Sequence, residues 1–267
     1  MGAAFGFHDT MPSDIDRQIA ESLEATPELL PFLSELLTDR PSSPPDDVLR
    51  LLEPLGLPPT SRALDPGCGK GIVALALAER FGFHVVAVDA FPPFVEDCQR
   101  RAEEKRLGHR CEFHCADLRS WFGPREPFDI AMMLAVGAVL GDQKGTAGAL
   151  RSCVRRGGYI VIDDGFLAPG CAVEVAGYGA YAEYEETIRR LTAHGDRVVA
   201  EHLPTPQDTQ RIHAAETEAV RRRALQLARK RPDAAAVLNQ YAARRQVEME
   251  LASHAVRYAV WLLRRPG

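Results

Sequence analysis

The chain has 267 residues, of which 46% are hydrophobic and 26% charged, with a formal net charge of -5 and six cysteines. That balance suits a globular protein with one well-buried domain plus appendages, and its acidic excess argues against a general nucleic-acid binder. No basic stretch followed by an apolar core opens the sequence, Gly6 stands where a myristoylation signal needs Ser or Thr, and the longest charge-free apolar run, 130–140, is too short to span a bilayer. The expectation is a cytoplasmic protein with no membrane attachment.

In chain order, 13–38 reads helical: Ser13 caps, Ile15, Ile19 and Leu23 recur every four residues, and a second apolar cluster, Leu29 to Leu37, follows Pro27. Residues 40–47 (R-P-S-S-P-P-D-D) read as a linker, after which Asp46 or Asp47 caps a short helix holding Val48, Leu49, Leu51 and Leu52. Residues 62–90 read as strand, glycine loop, helix and strand. The first strand ends at Asp65, and Gly67, Gly69 and Gly71 follow at every second position, so backbone is bared to a ligand. The helix that starts next is apolar nearly all round and stops at Gly82; the β-branched run from His84 ends in a second carboxylate, Asp89.

Pro92 and Pro93 open the next helix, with Phe94, Val95, Cys98 and Ala102 inward, Glu96–Arg100 and Asp97–Arg101 paired outside, and Gly108 as its end. Around His109, Cys111, His114 and Cys115, alternation places Cys111, Phe113 and Cys115 on one face and His114 on the other, so a buried strand fits better than a metal site. The cysteines contain no C-x-x-C pair and read as reduced. Phe128 to Val136 is an apolar central strand; after Gly141-Asp142 a helix turns Ala147, Leu150 and Val154 inward; Gly157-Gly158 leads into the strand from Tyr159 to Ile162. A helix running from the tyrosines 178, 181 and 184 to His194 and a sixth strand, 196–203, come next. Two long helices, about 207–231 and 233–253, flank Pro232, and Val256, Tyr258, Val260 and Leu262 alternate in a final strand. Regular alternation of strand and helix predicts an α/β, doubly wound, mostly parallel sheet, with ligands at the carboxyl ends of its strands.

The glycine spacing decides the ligand class. A dinucleotide G-x-G-x-x-G/A would put Ile72 at its third glycine, and a phosphate loop would need Ser or Thr after Lys70, where Gly71 stands. D-P-G-C-G-K-G instead resembles the D-x-G-x-G-x-G loop of class I S-adenosylmethionine (SAM) dependent methyltransferases, with C-A-D-L, F-D-I-A-M-M-L-A-V-G and R-R-G-G-Y-I-V-I-D-D extending the likeness over 46–165. Pro66 and Arg156 depart from the usual pattern without removing a ligand-facing group. The resemblance implies a seven-stranded sheet whose last strand lies antiparallel between strands five and six. It also implies SAM as cofactor: Asp65 with Gly67, Gly69 and Gly71 on the methionine part, Asp89 and Ala90 at the ribose, Asp117 and Leu118 flanking the adenine, and the Ala135 turn at the same edge. On the same footing, 1–45 is an N-terminal helical lid, or simple packing against 46–267, and the insertion at about 205–253 is a substrate cap or a homodimer contact.

The reaction so implied is in-line methyl transfer to a small-molecule acceptor. Where a proton must leave, Asp163, Asp164, His194 or one of Tyr178, Tyr181 and Tyr184 stands in position by sequence. The seven basic residues between Arg211 and Arg231 read as a solvated helix face. The alternatives are an RNA or protein methyltransferase using that face, a SAM-dependent enzyme of another reaction type, and a non-catalytic relative.

Overall fold

The computed structural model describes residues 16–17, 19–20, 25–37, 44–122, 126–173 and 179–267. Seven strands form one sheet: β1 (Arg62–Pro66), β2 (His84–Asp89), β3 (Cys111–Cys115), β4 (Phe128–Leu134), β5 (Val154–Leu167), β6 (Arg197–His202) and β7 (Val256–Arg264), in the order β3-β2-β1-β4-β5-β7-β6. β1 to β5 run parallel, and β7 is antiparallel to both β5 and β6, as the resemblance implied. The nine α-helices of the described residues are α1 (Leu30–Leu36), α2 (Pro45–Leu52), α3 (Ile72–Phe81), α4 (Pro92–Glu104), α5 (Leu118–Trp121), α6 (Gln143–Cys153), α7 (Tyr184–Leu191), α8 (Pro206–Lys230) and α9 (Ala235–Ala255).

Period-two alternation in the strands builds the two sides of the core. Ala63, Ile130, Met132, Val161, Val260 and Leu262 face α2 and α3, while Leu64, Ala131, Met133, Ile160, Ile162, Ala259 and Trp261 face α6 and α7. The apolar runs of β4 and β5 are thus covered on both faces, the usual state of a central parallel strand. A separate apolar cluster joins Leu29, Phe32, Leu33 and Leu36 to Phe91, Phe94, Val220, Ala224, Leu227, Leu238 and Tyr241. It packs the N-terminal helix and the α8–α9 insertion against one another and over the carboxyl end of β2.

Local differences from the sequence reading have identifiable causes. The N-terminal helical reading holds for the 3-10 turn Pro27–Leu29 and for α1, while Ser13, Ile15 and Leu23 lie outside the described residues. α2 starts at Pro45 with Pro44 before it and no side-chain cap; Asp47 is instead buried, bonded to Arg50 and 3.5 Å from His202. α4 ends at Glu104, four residues before Gly108, because Arg106 itself takes the left-handed conformation at φ 58°. Arg100 pairs with Asp97 and Glu104, where Glu96 was the expected partner. β3 is the edge of the sheet and leaves Cys115 exposed. Val154 opens β5 where the last turn of α6 was expected, and β5 runs on to Leu167.

Candidate functional site

The glycine loop lies at the carboxyl end of β1, where β2 and β4 diverge to either side, the switch point at which an open α/β sheet binds its ligand. Gly67, Gly69 and Gly71 have φ of 78°, 53° and 72°, a region that strains any residue with a Cβ. They are not equivalent. A Cβ on Gly67 would lie 2.4 Å from the Val136 side chain and one on Gly71 2.7 Å from Cys98 Sγ, whereas one on Gly69 would meet nothing within 4 Å among the described residues. Gly67 and Gly71 therefore fit the loop to its neighbours, and Gly69 faces open space. The backbone N–H groups of Gly67 and Cys68 both donate to Val88 O, at 2.7 and 3.1 Å, which ties the loop to β2.

Asp89 organises the loop from the side. Its two carboxylate oxygens accept the Gly69 N–H and the Phe91 N–H, each at 2.9 Å. Burial pushes its carboxyl up to about 6, against the pull of these N–H groups and that of Ala90. Asp65, buried at the end of β1, is pushed up to about 7, first by burial and then by the charge of Asp89. Two carboxyls of raised pKa beside a bare backbone loop form a surface that favours hydroxyl and ammonium donors. Asp117 stands at the mouth: it caps α5 through the Arg119 N–H at 3.0 Å and pairs with the Arg119 guanidinium at 2.5 Å, which holds its carboxyl below the ordinary value. Leu118 beside it is buried. Ala135, exposed at φ 56°, donates its N–H to Asp163 O at 2.9 Å and so joins the turn after β4 to β5.

At the end of β5, Asp163 is buried on the face of β4 and β7, opposite Val260, and Asp164 points to the other face. Asp164 accepts Gln143 Nε2 at 2.9 Å and the Gly165 N–H at 2.8 Å, and the Tyr181 hydroxyl bonds to it as well; burial nonetheless raises its carboxyl. The Tyr181 ring lies against Gly165, where a Cβ would fall 2.5 Å from it. Asp163, Asp164 and Tyr181 thus share one end of the sheet. Two other sequence candidates do not join them. The Tyr184 hydroxyl donates to Glu201 of the edge strand β6 at 2.7 Å, and His194 is exposed, its Nε2 3.0 Å from Lys144 O. Tyr178 lies outside the described residues.

Two further residues, one in the glycine loop and one on the insertion, escaped the sequence reading. Lys70, buried within the glycine loop, donates to Ser34 O at 2.6 Å and Leu37 O at 2.9 Å, and stands 5.8 Å over the Phe94 ring. It closes the carbonyl end of α1, where a cation is favoured, and Arg223 of α8 also donates to Leu37 O. A buried lysine in a glycine loop was the available signal, since lysine is rarely buried without partners. The second residue, His213, is buried on α8 and is taken up below.

Comparison with known proteins agrees with this geometry. Residues 63–158 match the methyltransferase domain family model. A phosphoethanolamine N-methyltransferase 1 from Zea mays is 29% identical over 121 residues, covering 45% of this chain and 23% of that protein, so the chain spans about a quarter of that relative's length. A SAM-dependent methyltransferase from Geobacter sulfurreducens, solved with S-adenosyl-L-homocysteine (SAH), superposes with a TM-score of 0.76 at 19% identity, covering 88% of this chain and 96% of that one. The [4+2]-cyclase SpnF superposes at 0.70 and 18% identity, covering 96% and 97%. Over residues 63–158 the chain thus matches the methyltransferase domain model, and its fold is that of the class I methyltransferases.

Proposed function

We propose that the chain transfers the methyl group of SAM to a small-molecule acceptor by direct in-line displacement. The observation that carries this is the clasp of Asp89 on the Gly69 N–H at the switch point of a methyltransferase domain. The residues present fit the cofactor: open space over Gly69 and two carboxyls of raised pKa suit an ammonium group and a ribose diol. Asp65 and the backbone of Gly67, Gly69 and Gly71 hold the methionine part, Asp89 and Ala90 the ribose hydroxyls, Asp117 and Leu118 the adenine, and Ala135 closes the sulfur side. A diol donates two charge-assisted hydrogen bonds to one carboxylate, which is why an acid serves at Asp89.

SAM supplies a methyl group already activated by its sulfonium. The protein has only to align a nucleophile at about 3 to 3.5 Å and exclude water. The small-molecule reading is supported by the name of the maize relative. The basic face of α8 gives the RNA reading no particular support, since Arg211 pairs with Asp208, Arg221 and Arg222 with Glu218, and Arg231 with Asp233. Among the described residues no helix is long and apolar enough to cross a membrane, in keeping with the cytoplasmic location we infer.

The test is incubation with SAM carrying a labelled methyl group and a panel of amines, including ethanolamine and phosphoethanolamine, followed by mass spectrometry. Labelled acceptor formed in equal amount with SAH is the expected result. Acceptor altered without SAH release would replace methyl transfer by another reaction on the same fold.

A further inference from the structure

α8 is 25 residues long, about 37 Å at the helical rise. The carboxyl edge from β6 to β2 spans five strand spacings, about 24 Å. The helix bridges that edge. Its C-terminal half presents Val220, Ala224 and Leu227 to the cluster of Phe91 and Phe94 beyond β2. Its N-terminal half meets β7, where His213 packs edge-on to the Tyr258 ring with centroids 4.9 Å apart at 87°. The inward stripe 213, 216, 220, 224, 227 therefore changes from apolar to polar midway, with His213 on β7 through Tyr258 and the half-buried Glu216 one turn further on, near Tyr241. Burying such groups costs free energy unless something pairs them, yet His213 is 6% exposed and its Nδ1 has no hydrogen-bond partner among the described residues.

Tyr258 leads from His213 into the site. It lies opposite Gly165 in the β5–β7 register and packs in one cluster with Tyr181, whose hydroxyl reaches Asp164. α8 thus reaches the carboxylate end of β5 through Tyr258 and the Ala252–Val256 cluster, against which Tyr181 also packs.

We propose that the underside of α8 at His213 and Glu216, with Tyr258 and Tyr181, is the acceptor half of the site, and that His213 Nδ1 accepts an N–H of a small amine held there. The proposal rests on the SAM reading above. An imidazole serves because burial keeps it neutral, with its pKa lowered to about 4, so one ring nitrogen remains an acceptor at physiological pH. The buried carboxyl of Asp163 and the half-buried ones of Asp164 and Glu216 favour a nitrogen nucleophile, which carries positive charge as it is methylated.

The probe is an analogue of SAM with nitrogen in place of sulfur and a 2-aminoethyl arm in place of the methyl group, compared with SAH by calorimetry. Wild type is expected to bind the armed analogue at least about tenfold tighter than SAH. His213→Phe, which keeps a ring against Tyr258, removes that advantage and leaves SAH affinity within about twofold. Its Tm is unchanged or higher, because the lost nitrogen has no partner to forfeit among the described residues. His213→Gln, which restores an acceptor oxygen, recovers part of the advantage. SAH binding without gain from the arm, or a gain that survives in His213→Phe, overturns the acceptor half alone. Failure of SAH to bind the wild type overturns the SAM reading and this proposal with it.

Discussion

At the residue scale the site is governed by carboxyls held where water is scarce. Asp65 and Asp89 are raised to about 7 and about 6 from an ordinary 3.8, so between about pH 4 and pH 7 the folded chain binds more protons than the unfolded chain. Their contribution to stability therefore falls as pH rises through that window and levels off above it. Thermal melts of the ligand-free protein from pH 5 to pH 8 check this, with a shallower decline expected in Asp65→Asn; an unchanged decline there would refute the assignment. In the ribose role we assign to Asp89 its ionised form is the binding form, so SAM affinity should strengthen by up to about tenfold per unit as pH rises toward 6. Asp89→Ala removes two charge-assisted bonds of about 1.5 to 3 kcal/mol each and should cost at least about a hundredfold in SAM affinity while the protein stays folded. Wild-type affinity in that variant would be decisive against the ribose role. Among the glycines, Gly67→Ala should lower Tm more than Gly69→Ala, since only the first drives a methyl group into Val136, and a scanning calorimeter ranks them directly.

At the element scale, α1, the glycine loop and α8 are joined through backbone carbonyls. Lys70 and Arg223 converge on Leu37 O from two different elements, so the N-terminal helix is tied to the cofactor loop and to the insertion at once. Replacing a charged donor that serves two carbonyls costs about 2 kcal/mol or more. Lys70→Met is therefore expected to lower Tm by several degrees and to speed amide hydrogen exchange in α1 far more than in β4. Equal loss of protection in the two would show that Lys70 is merely part of the global core. Elements were legible in the sequence where their signals are local: three glycines, Gly82 as a stop, Pro92-Pro93 as a start, period-two strands. Their ends were less legible where one residue overrides the pattern, as Arg106 does by turning left-handed before Gly108. Lys70 and His213 gave no readable signal of their partners, because those partners lie 33 to 36 residues away for Lys70 and on β7 for His213.

At the scale of the whole molecule, the sheet brings residues from β1, β2, β4, β5 and β7 to one edge, and the insertion between β6 and β7 returns across that edge to reach β2. The parallel half of this arrangement follows from alternating strands and helices. The antiparallel placement of β7 came from resemblance to a family, since alternation in 256–264 says only that a strand is present. The residues we assign to the cofactor lie on the strand ends and could be read in order along the chain, whereas the proposed acceptor side is made by folding a helix of the insertion over the sheet, a long-range event that no local pattern records. Calorimetric titration of the purified protein with SAM and SAH, with NAD and ATP as controls, tests the central claim most directly. Micromolar binding of the first pair and none of the second is predicted; absence of binding to SAM and SAH, or equal binding of NAD, would contradict it.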